Sequence, residues 1–150
     1  MTFRVFSQER ERNFPAAEVA RNAARFFGTR VDVDPTAADG DVDVTVAPED
    51  LPPRSLVLRG REATGDDRFD AERAEAEGDP RTSAGMAALA ARCPSVWEFE
   101  ADTDDVHALA LAAVLATVFL GPVLAPDGTV FGVRTARERL ASRRASYRSN

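Results

Sequence analysis

Few residues in this chain are equipped for chemistry. His107 is the only histidine and Cys93 the only cysteine. His107 stands three residues after Asp104, a spacing at which a helix lets a carboxylate poise an imidazole as a general base. Cys93 and His107 are the two members that a thiolate pair would need. An intervening strand separates them, however, and Cys93 completes an apolar helical stripe with Met86, Leu89 and Ala90. A boundary histidine and a buried structural thiol fit these positions better than a catalytic pair.

Carboxylates are plentiful but poorly patterned for catalysis. Asp32 and Asp34 open like a calcium loop, yet Thr36 and Ala37 stand where the EF-hand pattern needs an acid and a glycine. Asp66–Asp67, Glu98–Glu100 and Asp104–Asp105 are paired acids. Glu98 and Glu100 share one strand face, opposite Trp97 and Phe99, and that face is expected to be wet. A wet carboxylate keeps an ordinary pKa and makes a poor acid at neutral pH. There is no phosphate-cradling glycine loop, no nucleophile elbow, and no lysine for a Schiff base or a P-loop. No catalytic, cofactor-binding or metal-binding residue is therefore assigned, and no cofactor is expected.

Charge is the more informative feature. All nineteen basic residues are arginine, isoleucine is absent, and the net charge is −6. The first two facts are what a GC-rich genome, such as many bacteria carry, imposes. The third makes the chain a poor general binder of nucleic acid or anionic membrane. Residues 134–150 oppose this trend with six Arg and one Glu, leaving the first 133 residues at −11. Arg137, Arg144 and Arg148 fall along one helix side. They form either a docking tail or a solvated helix whose arginines face the protein's own acids.

The elements that must hold these residues can be read from periodicity. Thr2–Ser7 alternates as a strand. Residues 16–27 carry an apolar stripe, with Pro15 in the first turn and Gly28 as a C-terminal stop. Val31–Asp34 and Asp41–Ala47 set valines against Asp32, Asp34, Asp41 and Asp43, a sheet with one dry and one acidic face, joined by a turn-rich link at 35–40. Ser55–Gly60 is a third strand. Residues 61–82 read as a polar helical insertion, loosely docked, with Phe69 its only large apolar group. Thr82 or Ser83 then caps the helix that carries Cys93. Ser95–Glu100 is a strand. A buried Ala-rich helix spans about 104–120, capped by Asp102 or Thr103 and stopped by Gly121-Pro122. Val123–Ala125 and Thr129–Val133 form a hairpin, and Thr135 with Glu138 has capping-box spacing for a last helix. The run 106–126 is long enough to cross a bilayer, but its alanines and its acidic, unanchored entry favour a soluble core helix.

These elements predict a single α+β domain over residues 1–150. Two βαββ-type halves would share a mixed or antiparallel sheet, with the helices on one face. The lone cysteine and charged N-terminal segment, without an apolar signal core, predict a cytoplasmic protein. The expected function is non-covalent binding of a protein partner, of the immunity, adaptor or accessory kind. Asp32, Asp34, Asp41, Asp43, Glu98, Glu100, Arg137, Arg144 and Arg148 are the candidate contact residues. An edge strand offers a homodimer, while nucleic acid and membrane are not expected partners. The alternative is a small-molecule-binding module or cofactor-free enzyme, with a cleft between the halves lined by Trp97, Phe99 and Phe131.

Overall fold

The computed structural model describes residues 1–34 and 41–148, without the side chain of Arg148; the expected hairpin link at 35–40 lies outside the described residues. The chain runs β1 (Thr2–Ser7), α1 (Ala16–Phe27), β2 (Thr29–Asp34), β3 (Asp41–Pro48), β4 (Arg54–Glu62), α2 (Gly65–Glu77), α3 (Pro80–Ser83) and α4 (Met86–Ala91). It continues with β5 (Ser95–Glu100), α5 (Val106–Phe119), β6 (Val123–Leu124), β7 (Val130–Phe131) and α6 (Val133–Arg148). The strands form one antiparallel sheet in the order β2-β3-β4-β5-β1-β6-β7, so the fold is a single α+β domain.

The two halves interleave. β5 of the second half sits between β4 and β1 of the first, and β1 pairs with β6 of the second. Moving outward from the central β1–β5 pair, one flank runs backward in sequence and the other forward. The halves share an element order without being topological copies.

Alternation in β1 and β5 divides the core in two. Phe3, Val5, Trp97 and Phe99 point to the inner face, against α1, α5 and α6. Phe6 and Val96 point to the outer face, against Ala71 and Ala74 of α2 and Ala90 of α4. Helices therefore cover both faces of the sheet, which corrects the one-face expectation. The outer layer exists because α2 docks by charge, a device that apolar periodicity does not reveal.

α5 is the centre of the inner layer. Eleven of its residues are buried, from Val106 to Phe119, so it has no wet side. Its alanines let neighbours approach closely, while Leu111 and Leu115 fill the gaps at no exposure. Each buried leucine is worth about 2 kcal/mol of transfer free energy. Trp97 stacks on Phe119 with ring centroids 5.8 Å apart, and Phe14 meets both edge-on. No helix among the described residues is long and apolar enough to cross a membrane.

Several boundaries differ from the sequence reading. Asp105, rather than Asp102 or Thr103, caps α5 by accepting the Ala108 N–H at 3.0 Å. Leu120 closes that helix in the left-handed conformation, at φ 56°. α6 begins at Val133, so Thr135 lies inside the helix and caps nothing. The helix that Thr82 or Ser83 was expected to cap, α4, starts from Gly85 with no side-chain cap, while Thr82 and Ser83 lie inside the short α3 that Asp79 and Pro80 start. β4 extends to Glu62 and takes in the start of the supposed insertion.

Candidate functional site

The outer face of the sheet is half covered. α2 and α4 lie over the flank that holds β5, β1, β6 and β7. Strands β2, β3 and β4 present their outer residues to solvent. Register sets these in rows: Asp34, Asp43 and Val57; then Asp32, Thr45 and Ser55; then Asp41 and Arg59. Val57 is 54% exposed, an apolar side chain on β4 at the border of this face, across from Asp43. Asp32 pairs with Arg30 at 3.1 Å and Asp41 with Arg59 at 3.2 Å. Asp43 is exposed on the same face. Asp34 is exposed there as well, so the face carries four carboxylates and is acidic. The four aspartates named from sequence are brought together here by strand pairing alone.

Glu98 and Glu100 separate from that group. Register continues the row Asp41–Arg59 through Glu98 on β5 to Arg4 on β1, giving alternating charge across four strands. Glu98 was expected on a wet face, but it is half-buried and accepts from Arg61 at 3.2 Å. Its role is structural. Glu100 is exposed at the strand end and binds the Met1 ammonium at 2.9 Å and the Thr2 hydroxyl at 2.5 Å.

The carboxylate that organises this region is Asp67, which sequence reading treated only as half of an acid pair. It is 2% exposed and receives both Arg61 nitrogens, at 2.6 and 2.9 Å, and Arg4 at 3.1 Å. It also closes a capping box with Thr64 at the start of α2. Burial opposes its ionisation, but the hydrogen bonds from Arg61, Thr64 and Arg4 outweigh that and hold it well below the usual carboxylate range. Arg61 is correspondingly held above its ordinary value by its bond to Asp67. Asp70 takes a further bond from Arg4 at 2.8 Å. The signals for this cluster were present: an arginine at position 4 inside an apolar strand, and Thr64-x-x-Asp67 at capping-box spacing. Phe69, the only large apolar group of this segment, is 62% exposed. Ion pairs, rather than an apolar side chain, fasten α2 to the sheet.

The C-terminal arginines largely serve the fold. Arg144 donates to the Phe27 carbonyl at the end of α1 at 3.0 Å and approaches Glu49 at 3.9 Å. Arg143 donates to the Asp104 carbonyl at 2.9 Å. Arg139 covers the Phe131 ring and approaches Asp127 at 3.8 Å. Arg137 lies over Phe26 and Phe27. The side chain of Arg148 lies outside the described residues.

The remaining candidates resolve simply. His107 does not poise itself on Asp104. Its Nε2 donates to the Pro52 carbonyl at 2.7 Å, and its Nδ1 faces Asp105 at 3.8 Å. Arg54 pairs with Asp105 from the other side. The ring clasps the β3–β4 connection to the start of α5. Cys93 sits in the outer-face core, fully buried, and burial pushes its thiol up to about 11, so it stays protonated at neutral pH. Trp97, Phe99 and Phe131 are 2%, 2% and 0% exposed. They are core residues, which corrects the expected cleft lining: the interleaved halves leave no groove between them at these rings. No group of His, Cys, Asp or Glu among the described residues is arranged to hold a metal ion. No family profile, curated protein or solved structure matches this chain.

Proposed function

We propose that the protein acts by non-covalent binding of a protein partner, in the manner of an immunity, adaptor or accessory protein, and that the bare outer face of β2, β3 and β4 receives it. The observation that carries this reading is the half-covered sheet. One flank is sealed by α2 through a buried ion network. The other leaves Asp32, Asp34, Asp41 and Asp43 on β2 and β3, beside an exposed Val57 on β4. An acidic strand face with an exposed apolar residue at its border suits a basic partner that lays one apolar side chain on Val57. Charge would steer the encounter and the apolar contact would slow dissociation. Nucleic acid is a poor fit to a face of this sign. The lone, inert Cys93 suits a reducing cytoplasm. A homodimer, if formed, has its natural seat at β2, the six-residue strand at the end of the sheet.

Affinity capture from the native host, with elution by rising salt, tests the proposal. The expected result is a stoichiometric basic protein whose affinity falls steeply between about 0.05 and 0.5 M salt. Asp32→Arg with Asp43→Arg should abolish its capture. A partner that is retained equally by that double variant would contradict the assignment of the face.

A further inference from the structure

The opposite side of the molecule carries a patch of the opposite sign. Phe26, near the end of α1, is 49% exposed. Arg25 places its guanidinium 5.2 Å from the centre of that ring, and Arg137 of α6 places its own at 5.8 Å. Neither guanidinium has a carboxylate partner among the described residues. Beside them a groove of about 210 Å³ runs between α1 and α6, lined by Phe26, Phe27, Arg137, Leu140, Ala141 and Arg144. Its floor is apolar and its rim is cationic.

Two simpler roles leave this arrangement unexplained. Arginines near a helix C-terminus complement its dipole, but Arg144 already bonds the Phe27 carbonyl. Ion pairing with the protein's own acids accounts for Arg139 and Arg134, which meet Asp127 and Glu138, and not for Arg25 or Arg137. Stacking on an aromatic ring holds a guanidinium flat while its N–H edges stay free, which is the geometry that takes a carboxylate with two parallel hydrogen bonds.

We propose that this groove binds an acidic peptide segment of a partner protein, its carboxylates on Arg25 and Arg137 and a neighbouring apolar side chain on Phe26 and Leu140. The net charge of −6 does not forbid this. The acidic strand face lies on the other side of the sheet, beyond a layer spacing of about 10 Å. Screening at physiological salt acts over about 8 Å. Locally, Arg137 and Arg144 line the groove with Arg25 beside it, and no carboxylate is among its lining residues.

Fluorescence anisotropy on the purified full chain tests the site without knowledge of the natural partner. The probes are a labelled dodecapeptide of repeated Glu-Leu-Asp, its Gln-Leu-Asn counterpart, and a thymidine oligonucleotide of equal length. The acidic peptide should bind at least about tenfold tighter than the other two, and Arg25→Gln with Arg137→Gln should remove that preference. Both arginines are exposed, so the double variant should keep its melting temperature to within about 2 °C. Phe26→Ser should weaken binding while both charges remain. Equal binding of the amide peptide, equal binding of the oligonucleotide, or an undiminished signal in the double arginine variant would each overturn the proposal. Failure here leaves the acidic-face reading standing, because the two surfaces share no residue.

Discussion

At the scale of single residues, Asp67 is the most consequential side chain. Removing its charge leaves Arg61 and Arg4 facing each other beneath α2 and opens the capping box. Asp67→Asn should cost about 3 kcal/mol in urea unfolding. The pH dependence has a definite sign. The folded pKa lies below the unfolded value near 3.8, so the unfolded chain binds more protons in the window between them. The contribution is complete above about pH 4 and is lost as pH falls through the folded value. The variant should therefore show a flatter stability profile than wild type below about pH 4. Gly60 makes a second residue-scale case. It pairs across the sheet with Trp97, whose indole would lie 2.8 Å from an added Cβ. Gly60→Ala should cost about 1–3 kcal/mol by overpacking and shift the tryptophan emission. Spacing marks the capping box of Thr64 and Asp67 but neither the ion pairs of Asp67 nor the packing of Gly60. Asp67 looked like any surface acid, since its partners lie 63 and 6 residues away, and Gly60 looked like a strand end because its cross-strand neighbour depends on register.

At the scale of elements, α5 and α2 show two ways to dock a helix. α5 is apolar all round, and its sequence announced burial: no charge between Val106 and Phe119 and alanine at the close contacts. An acid in that layer has no partner, so Ala112→Asp should leave no cooperative thermal transition near the wild-type temperature. α2 offers only Ala71 and Ala74 to the core, and periodicity alone marked it as loosely held. What holds it is electrostatic and long-range in sequence, which a hydropathy pattern cannot encode. The caps were missed for a related reason. Asp102, Thr103 and Asp105 all have capping side chains, and the choice of Asp105 follows from where the chain leaves β5. The strands were read best, because alternating Val and Asp in β2 and β3 is a two-residue pattern with one physical meaning.

At the scale of the whole molecule, the sheet separates charge. Its uncovered flank is acidic on the outer side, and the groove between α1 and α6 on the inner side is cationic. The sequence disclosed the imbalance between residues 134–150 and the rest, but not its use: Arg139, Arg143 and Arg144 brace neighbouring elements, and Arg137 sits with Arg25 of α1 over Phe26. The four aspartates were legible as a wet face, while the absence of a covering helix over that flank among the described residues emerges only from strand order. The central claim is that this bare flank is a docking surface. The most direct measurement is partner binding by the Asp32→Arg, Asp43→Arg double variant, with its melting temperature as the folding control. Both side chains are exposed, so stability should change by less than about 1 kcal/mol. Binding should fall at least about a hundredfold and lose its salt dependence. Unchanged affinity in a fully folded variant would contradict the account.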